Sequence, residues 1–202
     1  MKRLFTPLFY FVIFIVSVSL IGYGWLILQT QAAQTAHEQG DIQGASQIYG
    51  RAEKVFYFVP WLSRILPDEY RDVSLRQVAI LYEEDRSDEA FEKLEQISMM
   101  APSLTESGEY SFWTGNLLLR RALQTKDTET SVNAVKAALA EYQKGLAAQP
   151  DDWDLKYNFE LVSQLFQKGD KSKDEQKVKS LVDKMRQQNE PSREELAPEK
   201  RG

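Results

Sequence analysis

The chain contains no cysteine and a single histidine, His37. The first absence excludes disulfide frameworks, thiolate nucleophiles and cysteine-ligated metals. It is compatible with an oxidising compartment without testing for one. The second excludes a histidine-based triad or a multi-histidine metal site, because one imidazole cannot supply either. His37 therefore reads as a surface or interfacial residue. Glycine-rich phosphate loops and the G-x-S-x-G nucleophile signature are also missing. So is the basic stripe of a nucleic-acid binder: net charge is −5, with acidic and basic residues interleaved. Carboxylates stand among Lys and Arg on helical patterns, not as isolated pairs. The expectation is no enzyme, no cofactor, no metal and no nucleic acid.

Charge is missing from one long stretch as well. No Lys or Arg occurs between Arg3 and Arg51, and residues 4–28 are almost unbroken hydrocarbon and aromatic. A bilayer core of about 30 Å needs about 20 apolar residues in a helix, which this run exceeds. Lys2 and Arg3 lie on its N-terminal side, so the positive-inside rule places residues 1–3 in the cytoplasm. Everything after residue 28 is expected on the extracytoplasmic side, as in a single-pass inner-membrane protein facing the periplasm. The rival is a cleaved signal peptide. Its apolar region runs about 7–15 residues and ends at an A-x-A-like site. Here the run is longer, and Gln31, Ala32 and Ala33 match that site poorly. Trp25, within Gly22-Tyr23-Gly24-Trp25, sits where an interfacial aromatic belt is expected. There is no G-x-x-x-G spacing that would mark a helix-pairing face.

About 170 residues follow, enough for one domain with a sizeable core. Strand signals are scarce there and helical periodicity is frequent. Val73, Val78, Ile80 and Leu81 share one amphipathic pattern, and Ala90, Phe91, Leu94 and Ile97 another. Residues 84–88 form a polar turn between them. Pro102 and Pro150 end later helices, because proline cannot continue one. Asp151 and Asp152 supply an N-cap for residues 153–168.

A recurring pattern runs through these segments. Gly40, Asp41, Ala45, Tyr49 and Ala52 form one instance. Ser87, Asp88, Ala90, Leu94 and Ile97, closed by Pro102, form a second, and Ala138, Tyr142 and Gly145, closed by Pro150, a third. Each instance resembles the second half of a tetratricopeptide repeat, and Trp113 to Leu117 resembles a first half only around Gly115. An insertion near Lys126, Asp127, Thr128 and Glu129 departs from the family pattern and lengthens the third unit. The resemblance covers about residues 33–168. It implies an all-α protein: an N-terminal transmembrane helix at 4–28, then a TPR-like array of helical hairpins at 29–168 with a terminal capping helix. By repeat register the anchor continues through Gln29 to Gln39 as the first helix of the first repeat. Residues 169–202 read as a charged, partly disordered tail, with Val178, Leu181, Val182 and Met185 spaced for a short helix.

The anchor, the short repeat domain and the sequence around residues 153–161 together resemble a narrower group. These are MxaK-type accessory membrane proteins encoded beside MoxR-type ATPases and von Willebrand A-domain proteins. That resemblance implies a membrane-anchored extracytoplasmic adaptor or scaffold, binding partner proteins while a membrane or periplasmic complex is assembled or activated. The alternative is a structural subunit that contacts partners through its transmembrane helix. Membrane lipid is expected along residues 4–28.

Repeat arrays bind on a concave face lined by the first helix of each pair. By the family's register that groove comprises Leu75, Ala79, Tyr82, Phe112, Asn116, Leu119, Arg120, Tyr157 and Leu161. Each of these is equally readable as core. The lining is mostly apolar, which favours an apolar helix or extended segment over a free carboxylate. Phe56, Phe58 and Trp61, with Trp25, are membrane-interface candidates, since the second helix should return the chain towards the headgroups. Burial of residues 56–66 between the first two repeat units is the competing reading.

Overall fold

The first element is a 37-residue helix, α1 (Lys2–Glu38). It runs without interruption from the apolar segment into the polar sequence around His37. Its end is set by Gly40, whose φ of +80° places it in the left-handed region that glycine enters without penalty. The Gly40 amide donates to the His37 carbonyl at 2.9 Å and the Asp41 amide to the Ala36 carbonyl at 2.9 Å. This pair of bonds is a Schellman ending and satisfies carbonyls the helix leaves open. Asp41 then caps the next helix, α2 (Ile42–Phe58), its carboxylate accepting from the Gly44 amide at 2.9 Å.

This computed structural model describes residues 2–167. After α2 come a short α3 (Leu62–Ile65), α4 (Pro67–Glu83) and α5 (Ser87–Met100). A 3-10 turn over Pro102–Glu106 leads to α6 (Gly108–Gln124), α7 (Thr128–Ala148) and α8 (Trp153–Gln167). Every regular element among the described residues is a helix, with no strand among them. The tail expected over residues 169–202, including its short helix, lies outside the described residues.

Two compact units divide the chain, residues 1–80 and 81–202. In the first, α2 packs along α1. Leu26 and Ala33 of α1 are buried with Ala45, Tyr49, Ala52 and Phe56 of α2. Phe56 meets Tyr70 of α4 at 5.1 Å between ring centroids. Burial pushes the Tyr70 phenol well above its ordinary pKa range, so it stays neutral. One carboxylate is buried in this unit. Glu53 accepts from the Ser74 hydroxyl at 3.0 Å and from the Gln77 amide at 2.9 Å, which meets the requirement that a buried polar group be hydrogen-bonded.

In the second unit α6 and α7 form the main hairpin and α8 packs on α7. Ala122, Val132, Val135, Ala138, Tyr142, Leu155 and Val162 make the core. Helices α6 and α7 approach closely because α6 carries no side chain at Gly115: a Cβ there would lie 2.5 Å from the Tyr142 ring. The apolar residues of the recurring pattern are interior in both units. Ala45, Tyr49 and Ala52 are buried, as are Ala90, Leu94 and Ile97, and Ala138 and Tyr142. Asp152 caps α8 as its sequence indicated, accepting from the Leu155 amide at 2.9 Å.

Candidate functional site

Two places in the fold carry features that packing alone does not use. The first lies in the N-terminal unit, where the chain returns beside α1. Here α2 ends, Pro60 and Trp61 turn the chain, and α3 leads into α4. Val55, Val59, Trp61, Leu62, Ile65 and Leu66 face the stretch of α1 from Ile15 to Leu26 across an apolar pocket of about 570 Å3. Gly22, Tyr23 and Trp25 contribute to its α1 wall. Gly22 leaves it hollow, since a Cβ built there meets no heavy atom within 4 Å. At its edge the Tyr23 hydroxyl donates to the Glu69 carboxylate at 2.8 Å. The Ser63 hydroxyl donates to the Pro60 carbonyl at 2.8 Å and fixes the turn.

Residues 56–66 are thus neither wholly core nor wholly exposed. Phe56, expected among the membrane-interface residues, is fully buried against Tyr70 and is corrected to a core position. Its neighbours face outward: Phe58 is 84% exposed, Trp61 60% and Ile65 63%. Helical geometry explains the split, because Phe56 continues the buried face of Ala45, Tyr49 and Ala52 while Phe58 is turned by two residues. Trp25 is partly exposed on α1 and borders the same pocket. Periodicity alone could not have found Leu62 and Ile65 as lining residues, since four residues of helix are too short for a pattern.

Along α1 itself, Phe9, Phe14, Leu20, Ile21 and Leu28 stand exposed. One described helix is long and apolar enough to cross a membrane, the segment Phe9–Glu38 of α1. Large apolar side chains exposed around a helix of that length are those expected of a lipid-facing span.

The second place is the partner groove expected by register. In the C-terminal unit the structure distributes its residues into three groups. Tyr82 and Arg120 are brought together: the guanidinium lies 3.3 Å from the Tyr82 ring centroid and donates to the Tyr82 carbonyl. Trp113 packs against Tyr82 at 5.7 Å and against Phe112 at 5.1 Å. Asn116 points inward, its Oδ1 accepting from the Tyr142 hydroxyl at 2.7 Å and the Asn158 amide at 2.9 Å. Phe112 and Leu119 are half-buried against the core. Tyr157 and Leu161 form an exposed stripe on α8 with Trp153, at spacings of four residues.

Leu75, in the N-terminal unit, has no exposed surface, so it is core and not groove lining. Its heptad-like position next to Val73 and Val78 was equally compatible with either role. Trp153 was missed as a surface-forming residue, and Trp113 as the ring that packs against both Tyr82 and Phe112. A Trp at the first turn of a polar-flanked helix, like Trp153, was the available signal.

Set against family models, curated proteins and solved structures, the chain matches none.

Proposed function

We propose that the chain is a single-pass membrane-anchored adaptor. Its N-terminus is cytoplasmic, and its helical domain, a TPR-like array, holds partner proteins on the extracytoplasmic side while a membrane or periplasmic complex is assembled or activated. The carrying observation is the continuity of α1, which passes from the apolar segment into packing with α2 without a break. A leash would tolerate a flexible joint there, whereas a continuous helix fixes the height of the first unit above the bilayer. The mechanism is tethering: anchoring raises the local concentration of partner and domain, and the exposed surface supplies selectivity. Tyr157 and Leu161, exposed members of the expected lining, form a stripe on α8 with Trp153, and aromatic residues of this kind are enriched where proteins bind one another. By the resemblance to MxaK-type proteins, the partners are a MoxR-type ATPase or von Willebrand A-domain membrane proteins.

Crosslinking in intact membranes followed by pull-down tests this reading. Recovery of such partners, reduced by Trp153→Ala together with Tyr157→Ala, supports it. Recovery of cytoplasmic proteins alone overturns the topology. A second reading, a structural subunit acting through its span, is favoured by the exposed apolar face of α1. Replacing the residues N-terminal to Phe14 with an unrelated apolar sequence separates the two. An adaptor keeps its partners after the exchange, and a subunit that relies on this face loses them.

A further inference from the structure

We propose that the pocket between α1 and the α2–α4 connection is a binding site for one hydrocarbon chain of a membrane lipid. The inference rests on the reading of α1 as a membrane span. The lining from Ile15 to Leu26 lies on the segment long and apolar enough to cross a bilayer. The medium that fills an opening at that level is therefore lipid, not water. The wall opposite is aliphatic and aromatic, from Leu62, Ile65 and Trp61, and offers a chain dispersion contacts on both sides.

Size selects the occupant. Eleven residues of α1 separate Ile15 from Leu26, a rise of about 16 Å. The pocket holds about 570 Å3, within the roughly 300–1,000 Å3 typical of small-molecule sites, and the length of α1 that lines it suits one extended chain. The hydrogen bond from Tyr23 to Glu69 places polar groups at its edge. Bound there, a chain fills the hollow left by Gly22 and joins α3 to the span. The fold of the N-terminal unit then depends on lipid for part of its packing.

The test uses the full chain extracted in mild detergent, with Gly22→Phe as the pocket-filling variant. Native mass spectrometry should find one phospholipid retained per wild-type chain and at least a fivefold lower occupancy in Gly22→Phe. Equal retention by both, or none by either, overturns the proposal. Circular dichroism of Gly22→Phe controls for folding, since an unchanged helix content assigns the lost lipid to the filled pocket. A photoreactive side chain at Ile65, activated in native membranes, should give adducts with lipid. Adducts with a second copy or another polypeptide instead would show that protein covers the pocket and would also overturn it. Alkaline extraction keeps the two readings apart. Release of the chain into the supernatant defeats the membrane span and this proposal with it, whereas retention with protein adducts defeats only the lipid site.

Discussion

Arg120 of α6 caps the end of α4 through Tyr82. Helix α4 closes with Asp85 at φ 58°, the Asp85 amide bonding to the Tyr82 carbonyl and the Arg86 amide to the Leu81 carbonyl. The guanidinium stacks on the Tyr82 ring and adds a bond to the same Tyr82 carbonyl, where the helix dipole is negative. A salt bridge to Asp85 at 3.4 Å is exposed on the carboxylate side and adds little. Arg120→Ala should therefore lower unfolding free energy by about 1–2 kcal/mol, through lost cation–π and dipole contacts. Arg120→Lys should recover less than half, since an ammonium cannot stack as a plane. Chemical denaturation of the full chain in detergent, followed by circular dichroism, measures both.

Gly115→Ala should destabilise the C-terminal unit even though alanine favours helix by about 1 kcal/mol over glycine. The added methyl would fall on the Tyr142 ring, and Tyr142 is fully buried with its hydroxyl tied to Asn116. Overpacking of this kind costs about 1–3 kcal/mol. A rise in melting temperature on Gly115→Ala would contradict the close α6–α7 approach.

Asn116 and Tyr142 should behave as a coupled pair. Asn116→Leu leaves the buried Tyr142 hydroxyl without its acceptor, at a cost of about 1–3 kcal/mol. Adding Tyr142→Phe removes the orphaned hydroxyl and should restore part of that loss. A double-mutant cycle over the two positions tests this, and strictly additive effects would sink the pairing.

The cap of α7 gives a pH dependence. Bonds from the Thr130 side chain and amide hold the Asp127 carboxyl below its usual pKa. A depressed folded-state pKa means the carboxylate's contribution is complete above the unfolded value of about 4 and disappears as pH falls through the folded value. Asp127→Asn keeps a capping oxygen but cannot titrate. The stability gap between wild type and this variant should be constant from pH 7 to about pH 5 and then narrow towards pH 3. Thermal melts across that range read it directly.

Much of the helical order is legible in the sequence, for local reasons. Gly40, Pro102, Pro150 and Asp152 mark ends that depend on the backbone of one or two residues, and the observed boundaries follow them. The continuity of α1 was legible too, because nothing between Leu28 and Gln39 breaks a helix. Side-chain destinations were less so. Leu75 and Phe56 sit in apolar patterns that fit a groove, an interface or a core, and only the neighbouring helices decide that they are core. The apolar pocket was out of reach altogether, since its walls come from residues about 40 apart in the chain. Asn116 fitted a groove or a core equally well in the sequence, and only Tyr142 and Asn158, converging on its amide oxygen, decide that it points inward.

Because α1 is one helix, rotation is transmitted along it as well as height. Leu26 and Ala33 are buried seven residues apart on the same side, the first at the pocket and the second where α1 packs with α2. Adding one residue between them turns one end by about 100° against the other. Either Leu26 or Ala33 must then leave its contact, whereas seven added residues nearly restore the phase. The first unit is thus keyed in azimuth to the apolar segment of α1, and the side of that segment left uncovered is set by the count of residues in α1.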